Sequence, residues 1–98
     1  NLIKMKKEKL TDAEVESSVK NLEGWNLIQG QLERNFVFDT FVMALEFVNK
    51  VGRIAEEQNH HPDLFIQYNK IKCSVMSHDV SAITTRDITL AKSINKLI

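Results

Sequence analysis

Three histidines sit among carboxylates and hydroxyls in the second half of the chain: adjacent His60 and His61, followed by Pro62, and then His78. Glu56 stands about one helical turn before the pair, Tyr68 lies between the pair and His78, and Asp87 follows. Histidine is the side chain whose unperturbed proton affinity falls near neutral pH. A cluster of this kind therefore points first to general acid–base chemistry. Clustered imidazoles also suggest a metal, but the arrangement argues against one. The residue before a proline is pushed toward extended backbone, and successive side chains of an extended chain point to opposite sides. His60 and His61 are expected to flank a cleft or serve different tasks, whereas a zinc site needs three or four converging ligands. On spacing alone, ordinary polar residues at a helix–strand junction would read the same way. Glu56 would then be a solvated residue at a helix end, Asp87 a capping carboxylate, and Trp25 and Tyr68 aromatics of the core or the sheet face.

The elements that must bring His78 back to His60 and His61 are legible. Thr11 and Glu14 form a capping-box pattern, and Leu10 can staple onto Val15. Val15, Val19 and Leu22 share a helical face, so a helix is predicted over 12–22, with Gly24 as its stop. Trp25–Gln29 and Gln31–Phe38 read as a hairpin about Gly30, with Leu32, Arg34, Phe36 and Phe38 on one side. From Asp39, a candidate cap, Phe41, Ala44, Leu45, Val48, Val51, Ile54 and Ala55 recur at helical steps, predicting a helix over 40–57. Gly52 inside it suggests close approach of another backbone, since glycine otherwise costs about 1 kcal/mol there. Residues 64–68 and 71–77 read as strands about an Asn69-Lys70 turn. His78 ends the second of them. Thr84 caps a last helix with Asp87 at its third position. The order is α-β-β-α-β-β-α, which predicts an α+β fold: a four-stranded antiparallel sheet with three helices on one face.

Ninety-eight residues are enough for one domain, taken as 1–98, with a modest core. Thirteen basic and thirteen acidic residues cancel, leaving no global nucleic-acid footprint. Lys4, Lys6, Lys7 and Lys9 read as a solvated tail or first strand. The lone Cys73 cannot form an intramolecular disulfide, fits a reducing compartment, and is expected to be a small core residue. No apolar run approaches the roughly 18 residues of a membrane span, and no signal-peptide pattern is visible. The chain begins at Asn1 rather than Met, compatible with a processed or trimmed terminus. Gly24, Gly30 and Gly52 are too scattered for a phosphate loop.

With these residues in place, the sequence resembles the pterin-4a-carbinolamine dehydratase family. That family's signature is a Glu, His-His-Pro, an aromatic, a His and an Asp at set spacings, filled here by Glu56, His60-His61-Pro62, Tyr68, His78 and Asp87. The likeness spans nearly the whole chain, including Leu10-Thr11, Gly24-Trp25, Phe36, Phe38, the helix from Phe41, Tyr68-Asn69-Lys70 and Arg86-Asp87-Ile88. Ser77 stands where many members carry Thr. Ser81-Ala82 fills a turn where glycine is common, so Ala82 would be strained if that turn required positive φ at its position.

The resemblance implies elimination of water from 4a-hydroxytetrahydropterin to give quinonoid dihydropterin, without metal or organic cofactor. In the family this step recycles the pterin of aromatic amino-acid hydroxylases. His60 and His78 would be the acid/base pair and His61 would bind and orient the pterin. Glu56 and Asp87 would support the histidines, since a nearby carboxylate favours imidazolium. Trp25 would pack near the ring, and Asn59-His60-His61 and Ser77-His78-Asp79 would line the pocket. A homodimer or homotetramer in the cytoplasm is implied. The competing expectation is an interaction protein, since some members are nuclear transcriptional coactivators. The surface for a transcription-factor partner would be the exposed side of helix 40–57, including Phe47 and Val51.

Overall fold

The computed structural model describes residues 9–98, so Lys4, Lys6 and Lys7 lie outside the described residues. The order of elements is α1 (Asp12–Lys20), β1 (Asn26–Ile28), β2 (Gln31–Val37), α2 (Phe41–Gln58), β3 (Asp63–Gln67), β4 (Lys70–Val75) and α3 (Thr85–Asn95). The expected α+β order is therefore found, with all neighbouring strands antiparallel in the order β1-β2-β4-β3.

Alternation along the strands decides where the core lies. Leu32, Arg34 and Phe36 of β2 stand opposite Val75, Cys73 and Ile71 of β4, and Leu64 and Ile66 of β3 stand opposite Cys73 and Ile71. The three helices cover this face. α2 contributes Ala44, Phe47, Val51 and Ala55, α3 contributes Ile88, Leu90, Ala91 and Ile94, and α1 contributes Val15. Phe47 packs between Phe36 and Phe38, at centroid distances of 4.6 and 5.0 Å. Such tilted ring pairs add to the stabilisation from simple burial. The other sheet face carries Glu33, Asn35, Phe65 and Lys72 in register, a polar majority that leaves it uncovered.

Several local expectations are corrected. α1 stops at Lys20 with Asn21 as its cap, two residues early, and Gly24 uses its φ of +84° to turn the chain into Trp25. Thr40, not Asp39, caps α2: its side-chain oxygen accepts from the Met43 amide at 3.1 Å. A methyl at Gly52 would meet no atom within 4 Å, so backbone crowding does not explain that glycine. The β3–β4 loop is Tyr68-Asn69, since Gln67 pairs with Lys70. Positive φ falls on Tyr68, while Asn69 donates its side-chain N–H to the Phe38 carbonyl at 2.7 Å. β4 ends at Val75 rather than 77, and a Ser77–Ala82 bridge closes the loop that carries His78. In that loop the positive φ sits on Ser81, so Ala82 escapes the strain. Phe47 and Val51 are buried in the core, because they lie on the α2 stripe that faces β2. The exposed apolar residues of α2 are Phe41, Val42, Met43 and Leu45.

The far end of α3 is tied to the rest by one asparagine. Asn95 Oδ1 accepts from Trp25 Nε1 and Arg34 Nη1, each at 2.7 Å, and its Nδ2 donates to the Glu23 carbonyl at 3.1 Å. Arg34 Nη1 also donates to that carbonyl, at 2.7 Å. Gly24 lies directly beneath this guanidinium: an added Cβ would come within 2.4 Å of Arg34 Nε. Gly24→Ala combines a left-handed backbone penalty with displacement of a doubly bonded arginine. It is expected to lower the unfolding free energy by about 2 kcal/mol or more. An unchanged urea midpoint with an unchanged slope would refute this account of Gly24.

Candidate active site

The end of α2 separates the two adjacent histidines. Asn59 takes the left-handed conformation (φ 51°, ψ 44°), which asparagine tolerates. Its amide donates to the Glu56 carbonyl at 3.2 Å, and the His60 amide donates to the Ala55 carbonyl at 3.0 Å. This is the Schellman pattern, in which one left-handed residue satisfies the last helical carbonyls and reverses the chain. His60 emerges turned into the protein, 8 % exposed, while the side chain of His61 is 56 % exposed. The two rings thus serve different surroundings, as Pro62 leads one to expect.

His60 meets a carboxylate inside. Its Nε2 lies 2.5 Å from Asp87 Oδ1, and Asp87 has no exposed surface. The other carboxylate oxygen, Oδ2, accepts from Ser77 Oγ at 2.8 Å and from the Thr84 amide at 2.9 Å. Ser77 Oγ also bonds Thr84 Oγ1 at 2.8 Å. Asp87 is the third residue of α3 and closes its capping box, so one carboxylate both starts the helix and holds His60. The β3–β4 register, with Asp63 opposite Ser74, runs toward the same place and brings the 60–61 segment alongside 76–78.

His61 pairs with Glu56, Nε2 to Oε2 at 2.5 Å, on the surface. Both line a cleft of about 760 Å³ between the second half of α2 and the start of β3, walled by Val48, Gly52, Pro62 and Leu64. His60 and His78 are not in its lining, so the cleft takes in one of the three imidazoles. His78 is exposed in the loop after β4, and no hydrogen bond to its ring is found among the described residues. The next residue, Asp79, is clasped by Arg86 Nη2 at 2.8 and 3.1 Å, which ties the His78 loop to α3. Adjacent residues of one helical turn, Arg86 and Asp87, therefore bond Asp79, next to His78, and His60 respectively.

Other expected site residues are placed differently. Ser77 is 0 % exposed; its hydroxyl serves Asp87 and Thr84, and its amide and carbonyl bond Ala82. Every polar group it has is thus used internally. Trp25 is 3 % exposed with its indole N–H bonded to Asn95. Asn95 comes eight residues after Asp87, about 12 Å farther along a helix axis, so Trp25 is not brought to the His60–Asp87 pair. Asn59 acts as the helix terminator, and Tyr68 is exposed at the turn. Thr84 and Arg86 were missed as parts of the site. Thr84 is visible in sequence only as a cap, and nothing in the spacing links Arg86 to Asp79. Among the described residues no His, Cys, Asp or Glu group is arranged to hold a metal ion.

A sequence model described as pterin 4 alpha carbinolamine dehydratase matches residues 8–97. A Sulfurisphaera tokodaii protein, provisionally named pterin-4-alpha-carbinolamine dehydratase, is 41 % identical over 92 % of this chain and 97 % of its own. A Thermosynechococcus vestitus protein with the same provisional name is 41 % identical over 92 % of this chain and 95 % of its own. Among solved structures, a transcriptional coactivator/pterin dehydratase from Brucella melitensis superposes with a TM-score of 0.88 at 28 % identity, over 92 % of this chain and 98 % of that one.

Cys73 can be set aside as a nucleophile. It is buried between Arg34 and Leu64 in the sheet, and burial, assisted by the negative charge of Asp63, pushes its thiol up to about 12. The thiolate is the reactive form. At pH 8 the folded protein is expected to leave a thiol-specific chromogenic disulfide unreacted, with one equivalent reacting after denaturation. Rapid titration of the folded protein would contradict this burial.

Proposed function

The chain belongs to the pterin 4 alpha carbinolamine dehydratase family, and we propose that it dehydrates 4a-hydroxytetrahydropterin to quinonoid dihydropterin by histidine acid/base catalysis. The observation that carries this reading is the contrast between two imidazoles. His60 is buried and held by Asp87, while His78 is exposed with no ring hydrogen bond among the described residues. One imidazole is positioned and the other is available, as a reaction needing one proton delivered and one removed requires.

The chemistry sets the demands. The C4a–O bond breaks as the lone pair of the neighbouring ring nitrogen forms the C=N bond. Hydroxide is a poor leaving group, so a protonated imidazole gives its proton to the departing oxygen and water leaves. The ring nitrogen then loses its own proton to a second imidazole, and no net proton is consumed. His60 and His78 are assigned these two tasks. His61, paired with Glu56 at the cleft, is assigned binding and orientation of the pterin, with Pro62 and Leu64 offering apolar surface to a flat ring. Asp79, clasped by Arg86, holds the His78 loop. The recycling role is what the family resemblance implies.

His60→Ala and His78→Ala are each expected to slow dehydration by about 10²–10⁴-fold, the usual contribution of a general acid or base. The domain should stay folded by circular dichroism. The decisive assay follows 4a-hydroxytetrahydropterin directly: no acceleration by the native protein over the spontaneous reaction would sink the proposal, and full activity in both variants would sink the assignment.

A second reading, association through α2, is favoured by one observation. Phe41, Val42, Met43 and Leu45 are exposed together on its first turns, with Val42 at 62 %. Large exposed apolar patches mark interaction surfaces, and the Brucella protein is named a transcriptional coactivator as well as a pterin dehydratase. Light scattering at micromolar concentration is expected to give a mass above that of one 11.3 kDa chain, reduced in Val42→Asp. A strict monomer would remove this reading without touching the dehydratase one.

A further inference from the structure

The buried hydroxyls beneath Asp87 form a hydrogen-bond chain with only one consistent direction. Ser77 Oγ has a single proton, which it gives to Asp87 Oδ2 at 2.8 Å. The 2.8 Å contact between Ser77 Oγ and Thr84 Oγ1 must therefore be donated by Thr84. Thr84 Oγ1 in turn accepts from the Arg86 amide at 3.1 Å. The Thr84 amide adds a second donor to Oδ2, at 2.9 Å. Three of the four groups at this joint, Ser77, Thr84 and Asp87, have no exposed surface, so water does not offer an alternative partner. Every proton of this chain runs toward Asp87 Oδ2, an arrangement that suits an ionised carboxylate.

The consequence falls on His60. Oδ2 is already occupied by two donors, and Oδ1 faces His60 Nε2 at 2.5 Å. With Asp87 ionised, that contact is a hydrogen bond only if Nε2 carries the proton. We infer that Ser77 and Thr84 are positioning residues that lock Asp87 as an acceptor, hold His60 in its Nε2–H form, and leave Nδ1 as the nitrogen that exchanges protons. The fixed tautomer is the second-order effect by which a partner on one ring nitrogen decides the work of the other. Neither hydroxyl touches a ligand; each acts through Asp87. A serine at 77 suffices because the task needs a donating hydroxyl, which threonine would also supply. The proton-exchange role of Nδ1 rests on the dehydratase reading, but the tautomer does not.

Nitrogen-15 NMR of histidine-labelled protein tests the chain without turnover. In the native protein the His60 nitrogen that loses its proton as the ring is titrated is expected to be Nδ1, with Nε2–H retained. In Ser77→Ala the Nδ1–H tautomer is expected to become populated. Dehydration should then fall about tenfold, the worth of one charge-assisted hydrogen bond, in kcat with KM unchanged. Ser77→Thr should restore both tautomer and rate. If Ser77→Ala does not fold, Ser77→Cys, which keeps the shape and weakens the donor, is read in the same way. A native His60 that keeps its proton on Nδ1, or a folded Ser77 variant lacking the donor with an unshifted tautomer, overturns the inference. A native protein with the expected tautomer but no dehydratase activity leaves this inference standing and removes the functional reading alone.

Discussion

The carboxylate of Asp87 is the point on which the arrangement turns. Burying it removes it from water, a cost that only several good hydrogen bonds can offset. It receives bonds from the Thr84 amide, the Ser77 hydroxyl and the His60 ring, one from each of three stretches of chain. Helix α3, the loop after β4 and the turn after α2 are thereby held in one relation. Removing the carboxylate would leave buried donors from all three unpaired, which is why the capping residue of a short helix can govern a site assembled from distant sequence.

That arrangement depends on the turn after α2 delivering His60 inward. The left-handed Asn59 makes the reversal, and two backbone bonds secure it. His61 is then turned to the cleft with Glu56 beside it. The two carboxylates serve their histidines in different settings. Asp87 works without solvent, where a bond is strong and geometry strict. The pair of Glu56 and His61 is solvated, and an exposed pair contributes little to stability. Glu56 therefore fixes the His61 ring at the cleft more than it supports the fold.

Rigidity is distributed accordingly. The Asn95 junction anchors one end of α3 to Trp25, Arg34 and Glu23, and Asp87 anchors the other end to His60 and Ser77. Between them Ile88, Leu90, Ala91 and Ile94 fill the core. The helix is thus fixed at both ends by buried polar groups and along its length by packing. Its first turn can present Asp87 and Arg86 at settled positions, while the His78 ring stays at the surface.

The order of elements, the antiparallel sheet and the helical face of α2 were readable from the sequence because periodicity and capping are local properties of a chain. So was the expectation that His60 and His61 do not converge on one point, which rests on Pro62; the left-handed Asn59 that turns His60 inward was not. The capping box at Thr84 was readable too, and with it the carboxylate of Asp87. What could not be read was that this carboxylate had one oxygen left over, and that a histidine 27 positions earlier would take it. The burial of Ser77, the removal of Trp25 to the opposite end of α3 and the inward facing of Phe47 and Val51 were likewise undecided. These depend on which face of each element meets another, and on whether a polar group finds water or protein as its partner. Spacing along the chain sets which residues can share a face; only the packing of faces excludes water, and it is exclusion of water that turns a capping aspartate and two hydroxyls into the support of a histidine.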